Sequence, residues 1–401
     1  KAGMVQAMTH ADESTLTPDF DTLIDRRGTA SEKWDKYEGR DILPLWVADM
    51  DFRSPEAVIA ALHKRVDHGI FGYTDPPHKL VEVVCSMLED LYEWTVEPDW
   101  LVWLPGLVCG INVACRAAGQ EGDEILTAIP VYPPFLTAPS HANRQLKAIP
   151  LIDNGERWVF DFERLRDALT PRTSLFLLCN PHNPVGRAFV ADELASLASC
   201  LEGDDRIICS DEIHCGLILD TDKRHIPIAA LNPEIAERTI TLMAPSKTFN
   251  IPGLGCSFAV ISNPSLRKRF YRAMAGIVPP VNALGFTAAL AAYLEGHSWH
   301  GALLAYLREN SMLVEEAVNR MPGLSMHSVE ATYLAWIDTR STGLKEPAAF
   351  FENAGVGLSD GRYFGTPGFV RLNFGCPRVM LREALERMSR AMQRISLPGR
   401  E

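Results

Sequence analysis

Ser210-Asp-Glu-Ile-His214 and Pro245-Ser-Lys-Thr-Phe-Asn250 each come shortly after a run of apolar residues, and Asn180-Pro-His-Asn-Pro-Val-Gly186 follows a third such run upstream. The three runs are Leu175 to Cys179, Arg206 to Cys209 and Thr239 to Met243. Short apolar segments closed by polar, Gly or Pro residues are typical of buried parallel strands. Ligands of open α/β sheets bind outside the carboxyl ends of the strands, so the sequence predicts that the three motifs share one site.

An amide, an acid and a lysine at three strand ends indicate a particular cofactor, pyridoxal 5′-phosphate (PLP). Lys247 would bind the cofactor aldehyde and later take the proton from the substrate Cα. Asp211 would favour the protonated ring nitrogen, Asn183 would donate to the ring oxygen, and Ser246 would offer its hydroxyl to the phosphate. Singly, each residue has an ordinary explanation as a turn residue or a solvated charge. The combination, in this order along the chain, favours the cofactor site.

The overall pattern predicts an α/β fold with a mostly parallel sheet flanked by helices, because short apolar strands alternate with helical segments up to about residue 261. Ser54-Pro55 predicts the start of a helix with Ser54 as its N-cap. After Pro264, longer helices and two further strands predict a smaller α+β domain.

Composition excludes several classes of function. The chain has 401 residues and a net charge of −12, which argues against nucleic acid or an anionic membrane as a partner. No apolar run is long enough to cross a bilayer, and the first twenty residues lack a signal-peptide core. The nine cysteines form no C-x-x-C pair, which favours buried thiols in a reducing cytoplasm. His297 and His300 lack a third ligand, so we expect no metal site.

The three motifs resemble those of the fold-type I PLP enzymes, the aspartate aminotransferase superfamily. Trp46-Val-Ala-Asp-Met-Asp-Phe52 and Phe369-Val-Arg-Leu-Asn-Phe-Gly-Cys-Pro-Arg378 are similar to the MalY/PatB branch, the cystathionine β-lyase-like C–S lyases. The resemblance covers roughly Phe20 to Ile395. It implies a large domain of PLP fold type I, a smaller α+β domain built from both termini, and a homodimer with shared active sites. The expected division is a flexible tail at 1–19, the small domain at 20–60 and 298–401, and the large PLP-binding domain at 61–297.

The resemblance also implies further site residues. Tyr132 would stack on the cofactor ring, and Tyr73 would reach the phosphate of the partner subunit's site. Arg371 would grip the substrate α-carboxylate by a bidentate pair. The remaining implied residues are the phosphate-binding helix start at Gly106, Leu107 and Val108, His214 beside the cofactor, and Val47 and Ala48 beside the substrate.

Two positions depart from the aminotransferase pattern. His214 stands where aminotransferases commonly carry Tyr, and Gly255 stands where they commonly carry a phosphate-binding Arg. Both departures favour C–S β-lyase activity on L-cystathionine or a related cysteine thioether, which yields a thiol, pyruvate and ammonia from an amino-acid substrate. The alternatives are an aminotransferase and a regulator that retains the PLP fold.

A hydrolase is a poorer interpretation. Gly357-Leu-Ser-Asp-Gly361 matches the G-x-S-x-G nucleophile elbow, but that fold needs a histidine after the serine. The last histidine of the chain is His327, which precedes Ser359. The segment is therefore interpreted as a glycine-rich loop.

Overall fold

The structure is a computed structural model that describes residues 18–203 and 205–395. The tail expected at 1–19 lies almost entirely outside the described residues. Within the described ranges, none of the helices combines the length and the apolar character that crossing a bilayer requires.

Within residues 18–203 and 205–395, fourteen strands form four sheets. In chain order they are β1 (Leu43–Pro44), β2 (Leu101–Leu104), β3 (Glu124–Ile129), β4 (Gln145–Pro150), β5 (Ile152–Asp153), β6 (Trp158–Val159), β7 (Thr173–Cys179), β8 (Ile207–Asp211), β9 (Thr239–Met243), β10 (Ser257–Val260), β11 (Leu334–Asp338), β12 (Val356–Gly357), β13 (Ser359–Asp360) and β14 (Phe369–Asn373).

Helices of four to 24 residues surround the sheets. They are α1 (Glu32–Asp35), α2 (Glu56–His68), α3 (His78–Tyr92), α4 (Leu107–Ala117), α5 (Pro134–His141), α6 (Phe162–Ala168), α7 (Ala191–Cys200), α8 (Pro233–Ala236), α9 (Pro264–Met274), α10 (Ala283–Glu295), α11 (His297–Arg320), α12 (Pro347–Asn353) and α13 (Arg378–Met392).

The largest sheet has seven strands in the order β2-β10-β9-β8-β7-β3-β4. Only β10 runs against its neighbours, since it pairs antiparallel with both β2 and β9. The mostly parallel sheet predicted from the sequence is therefore confirmed. The sequence pattern did not reveal β2, whose four residues stand directly before Pro105-Gly106 and are too short to show a period.

The residues of β7 show how the sheet divides the core. Leu175, Leu177 and Cys179 pack into the layer that holds α4 and α9, whereas Phe176 and Leu178 pack into the layer that holds α7. Successive side chains of a strand point to opposite faces, and both faces of this sheet are covered. Every residue of β7 is consequently buried, as the continuous apolar run indicates.

The registers of the central strands align their carboxyl ends. Cys179 lies opposite Asp211, and Asp211 lies opposite Leu242. The Asn180 N–H donates to the Asp211 carbonyl at 3.0 Å. The residues that follow β7, β8 and β9 therefore emerge at one edge of the sheet, as the sequence predicts.

The amino-terminal segment packs against the carboxyl-terminal part of the chain. β1 pairs in parallel with β12. In the sequence, β12 lies between β11 and β13, two strands of the antiparallel sheet β11-β14-β13. Ser54 corrects one expectation, because α2 begins after Pro55 with no side-chain cap. The Ser54 hydroxyl instead donates to the Asn250 carbonyl at 3.0 Å, so it joins this segment to the loop that carries Lys247.

Candidate active site

Asp211 ends strand β8 and is buried with only 4% of its surface exposed. Its Oδ1 accepts a hydrogen bond from the Ile213 N–H at 3.1 Å. Burial raises the pKa of Asp211 to about 7, against the lowering effect of that hydrogen bond. A carboxylate in this state binds a nearby positive charge or a proton strongly, because its own ionisation is disfavoured by burial.

Lys247 lies four residues beyond β9, in the loop that leaves the same sheet edge. Its Nζ donates to the carbonyl oxygen of Ala48. Burial lowers the pKa of Lys247 to about 8, and the carboxylate of Asp49 opposes that shift. A lysine with such a pKa offers a neutral, nucleophilic amine near physiological pH.

Asn183 joins the sheet edge to the carboxyl-terminal sheet. Its side-chain oxygen accepts from Nη1 of Arg371 at 3.0 Å, and its backbone oxygen accepts from the Tyr132 N–H at 3.1 Å. Asn183 and Arg371 are both buried, and Tyr132 is half-buried. The structure therefore brings together three of the residues singled out from the sequence.

Arg371 is a buried cation whose hydrogen-bond partners among the described residues are all neutral. Its Nη2 donates to the Trp46 carbonyl at 2.8 Å, and its guanidinium carbon lies 4.7 Å from the centre of the Phe364 ring. Its Nε has no partner among the described residues. Burial lowers the pKa of Arg371 to about 10. A substrate carboxylate would supply the missing negative charge and acceptor.

A cavity of about 550 Å³ opens above Arg371. Val47, Tyr132 and Ser359 contribute to its wall. The Ser359 hydroxyl donates a hydrogen bond to the Trp46 carbonyl at 2.7 Å. This contact is structural, in agreement with the interpretation that Ser359 is not a hydrolase nucleophile. The size of the cavity suits an amino acid with an extended side chain.

His214 is buried beside these groups. Its ring packs edge-on against Tyr333 at 6.0 Å, and its Nδ1 has no partner among the described residues. Burial holds the pKa of His214 well below its usual range, and Lys247 and Arg371 act in the same direction. His214 is therefore a neutral imidazole with an unused polar atom at the site.

The start of helix α4 leaves open space. Gly106 is the N-cap, and a Cβ on it would meet nothing within 4 Å. The N–H groups of Leu107 and Val108 begin the helix there, where an anion is favoured. Gly255 lies against this loop, because a Cβ atom added to it would be 3.1 Å from the carbonyl oxygen of Pro105. With φ of +60°, Gly255 adopts a conformation that an arginine would hold only under strain.

These features fit PLP. Burial and charge make Asp211 a suitable partner for a ring nitrogen, Lys247 suits an aldehyde, and half-buried Ser246 stands beside it. The open helix start suits a phosphate, and the unpaired Nδ1 of His214 offers one more polar contact. Tyr73 is the exception, since it is fully exposed within the described chain.

Sequence reasoning missed the residues that hold the 46–50 segment over Lys247. The Tyr333 hydroxyl donates to the Ala48 carbonyl at 2.9 Å. Asn373 Nδ2 donates to the carbonyls of Val47 at 2.6 Å and Asp49 at 2.7 Å. Among these residues, Asn373 is the one that the sequence could have indicated, because it is a polar residue at the end of the largely apolar strand β14.

A second missed feature is the buried charge network beneath that segment. Asp51 accepts from Lys33 Nζ at 2.6 Å and from the Trp34 indole at 2.8 Å. Arg26 pairs with Asp51 at 2.7 Å and with Asp49 at 2.6 Å. Because removal of one partner of a buried ion pair is strongly destabilising, this network fixes the segment that covers the site.

Known proteins share the sequence and the fold. The cystathionine beta-lyase PatB of Bacillus subtilis strain 168 is 37% identical over 386 residues, which cover 93% of this chain and 99% of PatB. The crystal structure of OvoB is 48% identical with a TM-score of 0.92, over 94% of this chain and 100% of that one. Cystalysin from Treponema denticola, whose crystal structure contains PLP, is 32% identical with a TM-score of 0.90, over 94% and 99% of the two chains.

The aminotransferase class I and II family matches this sequence from residue 40 to residue 388. That range contains the three strand-end motifs, the segment over Lys247 and the strand that carries Arg371. The chain therefore belongs to the aminotransferase class I and II family.

Proposed function

We propose that the protein is a PLP-dependent C–S β-lyase, which cleaves L-cystathionine or a related cysteine thioether to a thiol, pyruvate and ammonia. The observation that carries the proposal is that Asn183, Asp211 and Lys247 follow or end β7, β8 and β9 at one edge of the sheet, and that Asn183 is hydrogen-bonded to Arg371, which lines an open cavity. The relationship to a cystathionine beta-lyase and to a PLP-containing structure supports it.

Each residue would have a definite task. When bound, PLP draws electrons from the substrate Cα, so that its proton becomes acidic. Asp211 would hold the proton of the ring nitrogen, and Asn183 would donate from its amide to the ring oxygen. Tyr132 would pack on the ring face. Ser246 and the N–H groups that follow Gly106 would hold the phosphate.

Proton transfer would be the task of Lys247. Its Nζ would remove the Cα proton, because the lowered pKa leaves much of the amine neutral near pH 8. Arg371 would hold the α-carboxylate in its free donor positions, below Val47 and Ala48. Departure of the β-sulfur as a thiol then leaves a three-carbon fragment that water converts to pyruvate and ammonia.

A second candidate is an aminotransferase, which the family match favours. The neutral, buried His214 and the left-handed backbone of Gly255 support the lyase instead, because both residues replace side chains common in aminotransferases. The two activities differ in their need for a keto acid. A lyase returns to its starting state after each turnover, whereas an aminotransferase stops after one half-reaction.

We also propose a homodimer with shared active sites. Ile70, Phe71 and Tyr73 are exposed large side chains in the loop between α2 and α3. An exposed cluster of this kind is typical of an interface. Tyr73 of the partner subunit would then complete the phosphate site.

A cytoplasmic location is supported by nine free thiols in the described chain.

A product assay tests the proposed function. The purified protein with PLP is incubated with L-cystathionine, with and without a keto acid, and pyruvate, ammonia and thiol are measured. We expect equal amounts of all three over many turnovers without a keto acid. Turnover only when a keto acid is added, with pyridoxamine phosphate accumulating otherwise, would establish the aminotransferase.

A further inference from the structure

The cavity above Arg371 has charged residues in its outer wall, and most of them are already paired. Arg362 forms ion pairs with Asp360 at 2.7 Å and with Glu346. Glu352 pairs with Arg40 at 2.9 Å and accepts from the Tyr37 hydroxyl at 3.3 Å. These carboxylates therefore have little negative charge to offer a ligand.

Lys36 is the exception in this wall. It lines the cavity, and within the described chain it has no carboxylate within 4.0 Å. Its Nζ lies 4.2 Å from the centre of the Trp46 ring and 5.0 Å from that of Tyr37. Contact with two aromatic rings holds the ammonium in place without neutralising it.

Trp46 connects the two uncompensated cations of the cavity. Its carbonyl accepts from Arg371 Nη2 at 2.8 Å, whereas its ring lies under Lys36. Trp46 thus extends from the floor of the cavity to its mouth. Arg371 is buried at the floor, and Lys36 is exposed at the mouth. A ligand that enters along Trp46 meets one positive charge at each end.

We propose that Lys36 and Trp46 form a second anion subsite, which binds a carboxylate on the sulfur substituent of the substrate. This inference rests on the proposed lyase function. Arg371 takes the α-carboxylate, and the substituent extends along Trp46 to the mouth. The substrate class is therefore cysteine thioethers that carry a distal carboxylate, in preference to neutral alkyl thioethers.

Two substrates of equal shape test the subsite: S-(2-carboxyethyl)-L-cysteine and its neutral amide S-(2-carbamoylethyl)-L-cysteine. The wild-type holoenzyme should prefer the carboxylate by about fivefold in kcat/KM, as expected for a partly exposed ion pair. The preference should shrink at high salt. In Lys36→Gln the ratio of the two kcat/KM values should fall to near one.

Arg40→Gln is the matched control, because Arg40 is also a cation beside Tyr37 but pairs with Glu352 and does not line the cavity. It should keep the wild-type ratio. Equal kcat/KM values in the wild type, or a preference that survives in Lys36→Gln, would overturn the subsite.

Binding separates failure of the subsite from failure of the lyase function. If neither compound is cleaved, the lyase function fails, and calorimetric titration of the holoenzyme with both compounds still decides the subsite. Tighter binding of the carboxylate that is lost in Lys36→Gln supports the subsite, and equal binding of the two compounds overturns it.

Discussion

Asn183 and Arg371 are 188 positions apart in the chain, yet they share a hydrogen bond of 3.0 Å at the centre of the site. The contact joins the edge of the large sheet to the strand β14. Nη2 of Arg371 donates to neutral oxygens of Trp46 and Ser359, and its Nε has no partner among the described residues. At the scale of the residue, the site is thus a set of buried polar groups whose charges are incompletely matched within the described chain. Such groups are the ones that a ligand can satisfy.

Arg371→Lys should reduce kcat/KM for a cysteine thioether by about 100-fold, because a single ammonium cannot replace a planar fork of donors. Steady-state kinetics with the acid and with its α-carboxamide measure the effect. The amide should lose much less than the acid. Equal losses for the two substrates would mean that Arg371 only supports the fold through Asn183 and Trp46.

Asp211→Asn should change the pH dependence of stability in the cofactor-free protein. The usual pKa of an aspartate side chain is 3.8, and burial raises the pKa of Asp211 to about 7 in the folded chain. A carboxyl group with a raised folded pKa contributes stability that is complete below its unfolded pKa and is lost as pH rises through the folded pKa. The asparagine can still accept from the Ile213 N–H but does not ionise.

The melting temperature of the variant relative to the wild type should therefore rise between about pH 4 and pH 7 and level off above that range. Thermal unfolding of both PLP-free proteins across this range measures the difference. A difference that does not depend on pH would show that Asp211 ionises normally in the fold.

At the scale of the element, the large sheet was accessible from the sequence because its signals are local. The apolar runs of β7, β8 and β9 end in polar residues, and parallel strands with aligned carboxyl ends bring those residues together. The roles of Asn183, Asp211 and Lys247 at that edge stay predictions. The pairing of β1 with β12 had no such signal, because two-residue strands show no period.

The contacts that cover the site had no sequence signal for a different reason. Trp46 and Arg371 are 325 positions apart, and Val47 and Asn373 are 326 positions apart. Their meeting depends on how the amino-terminal segment packs on the carboxyl-terminal sheet. The same packing places Lys36 in the wall of the cavity, a position that its neighbours in the sequence do not indicate.

Asn250 joins the loop of Lys247 to the covering segment, and its loss should be costly. Its amide accepts from the Met50 N–H at 2.9 Å and donates to the carbonyls of Met50 at 2.9 Å and Phe52 at 2.8 Å. Its φ is +54°. Asn250→Ala should lower the free energy of unfolding by about 4 kcal/mol, since about 1 kcal/mol for each of the three hydrogen bonds is added to about 1 kcal/mol of left-handed strain.

Asn143→Ala is the control for the strain alone. Asn143 has φ of +53° and is exposed. This variant should lose about 1 kcal/mol. Both are measured by denaturant unfolding of the PLP-bound protein. Similar losses at the two positions would contradict the anchoring role of the Asn250 amide.

At the scale of the whole molecule, the site is incomplete within one chain if Tyr73 serves it, because Tyr73 is fully exposed and does not line the cavity among the described residues. A twofold dimer would exchange this residue between two sites. Ile70 and Phe71 beside it are exposed and would supply apolar area for such an interface.

Mixed dimers of Tyr73→Ala and Lys247→Ala test the exchange. One site of a mixed dimer would contain both changes, and the other site would contain neither. When the two inactive variants are refolded together in equal amounts, about half of the dimers are mixed, so about a quarter of the wild-type activity should return. The mixture would stay as inactive as its components if each chain used its own Tyr73.

The most direct measurement of the central claim is the position of the cofactor on the chain. The PLP-bound protein is reduced with borohydride and digested, and the pyridoxyl group is located by mass spectrometry of the peptides. We predict one pyridoxyl group per chain, on Lys247. A pyridoxyl group on any other lysine, or no covalent group at all, would contradict the assignment of the site to the carboxyl ends of β7, β8 and β9.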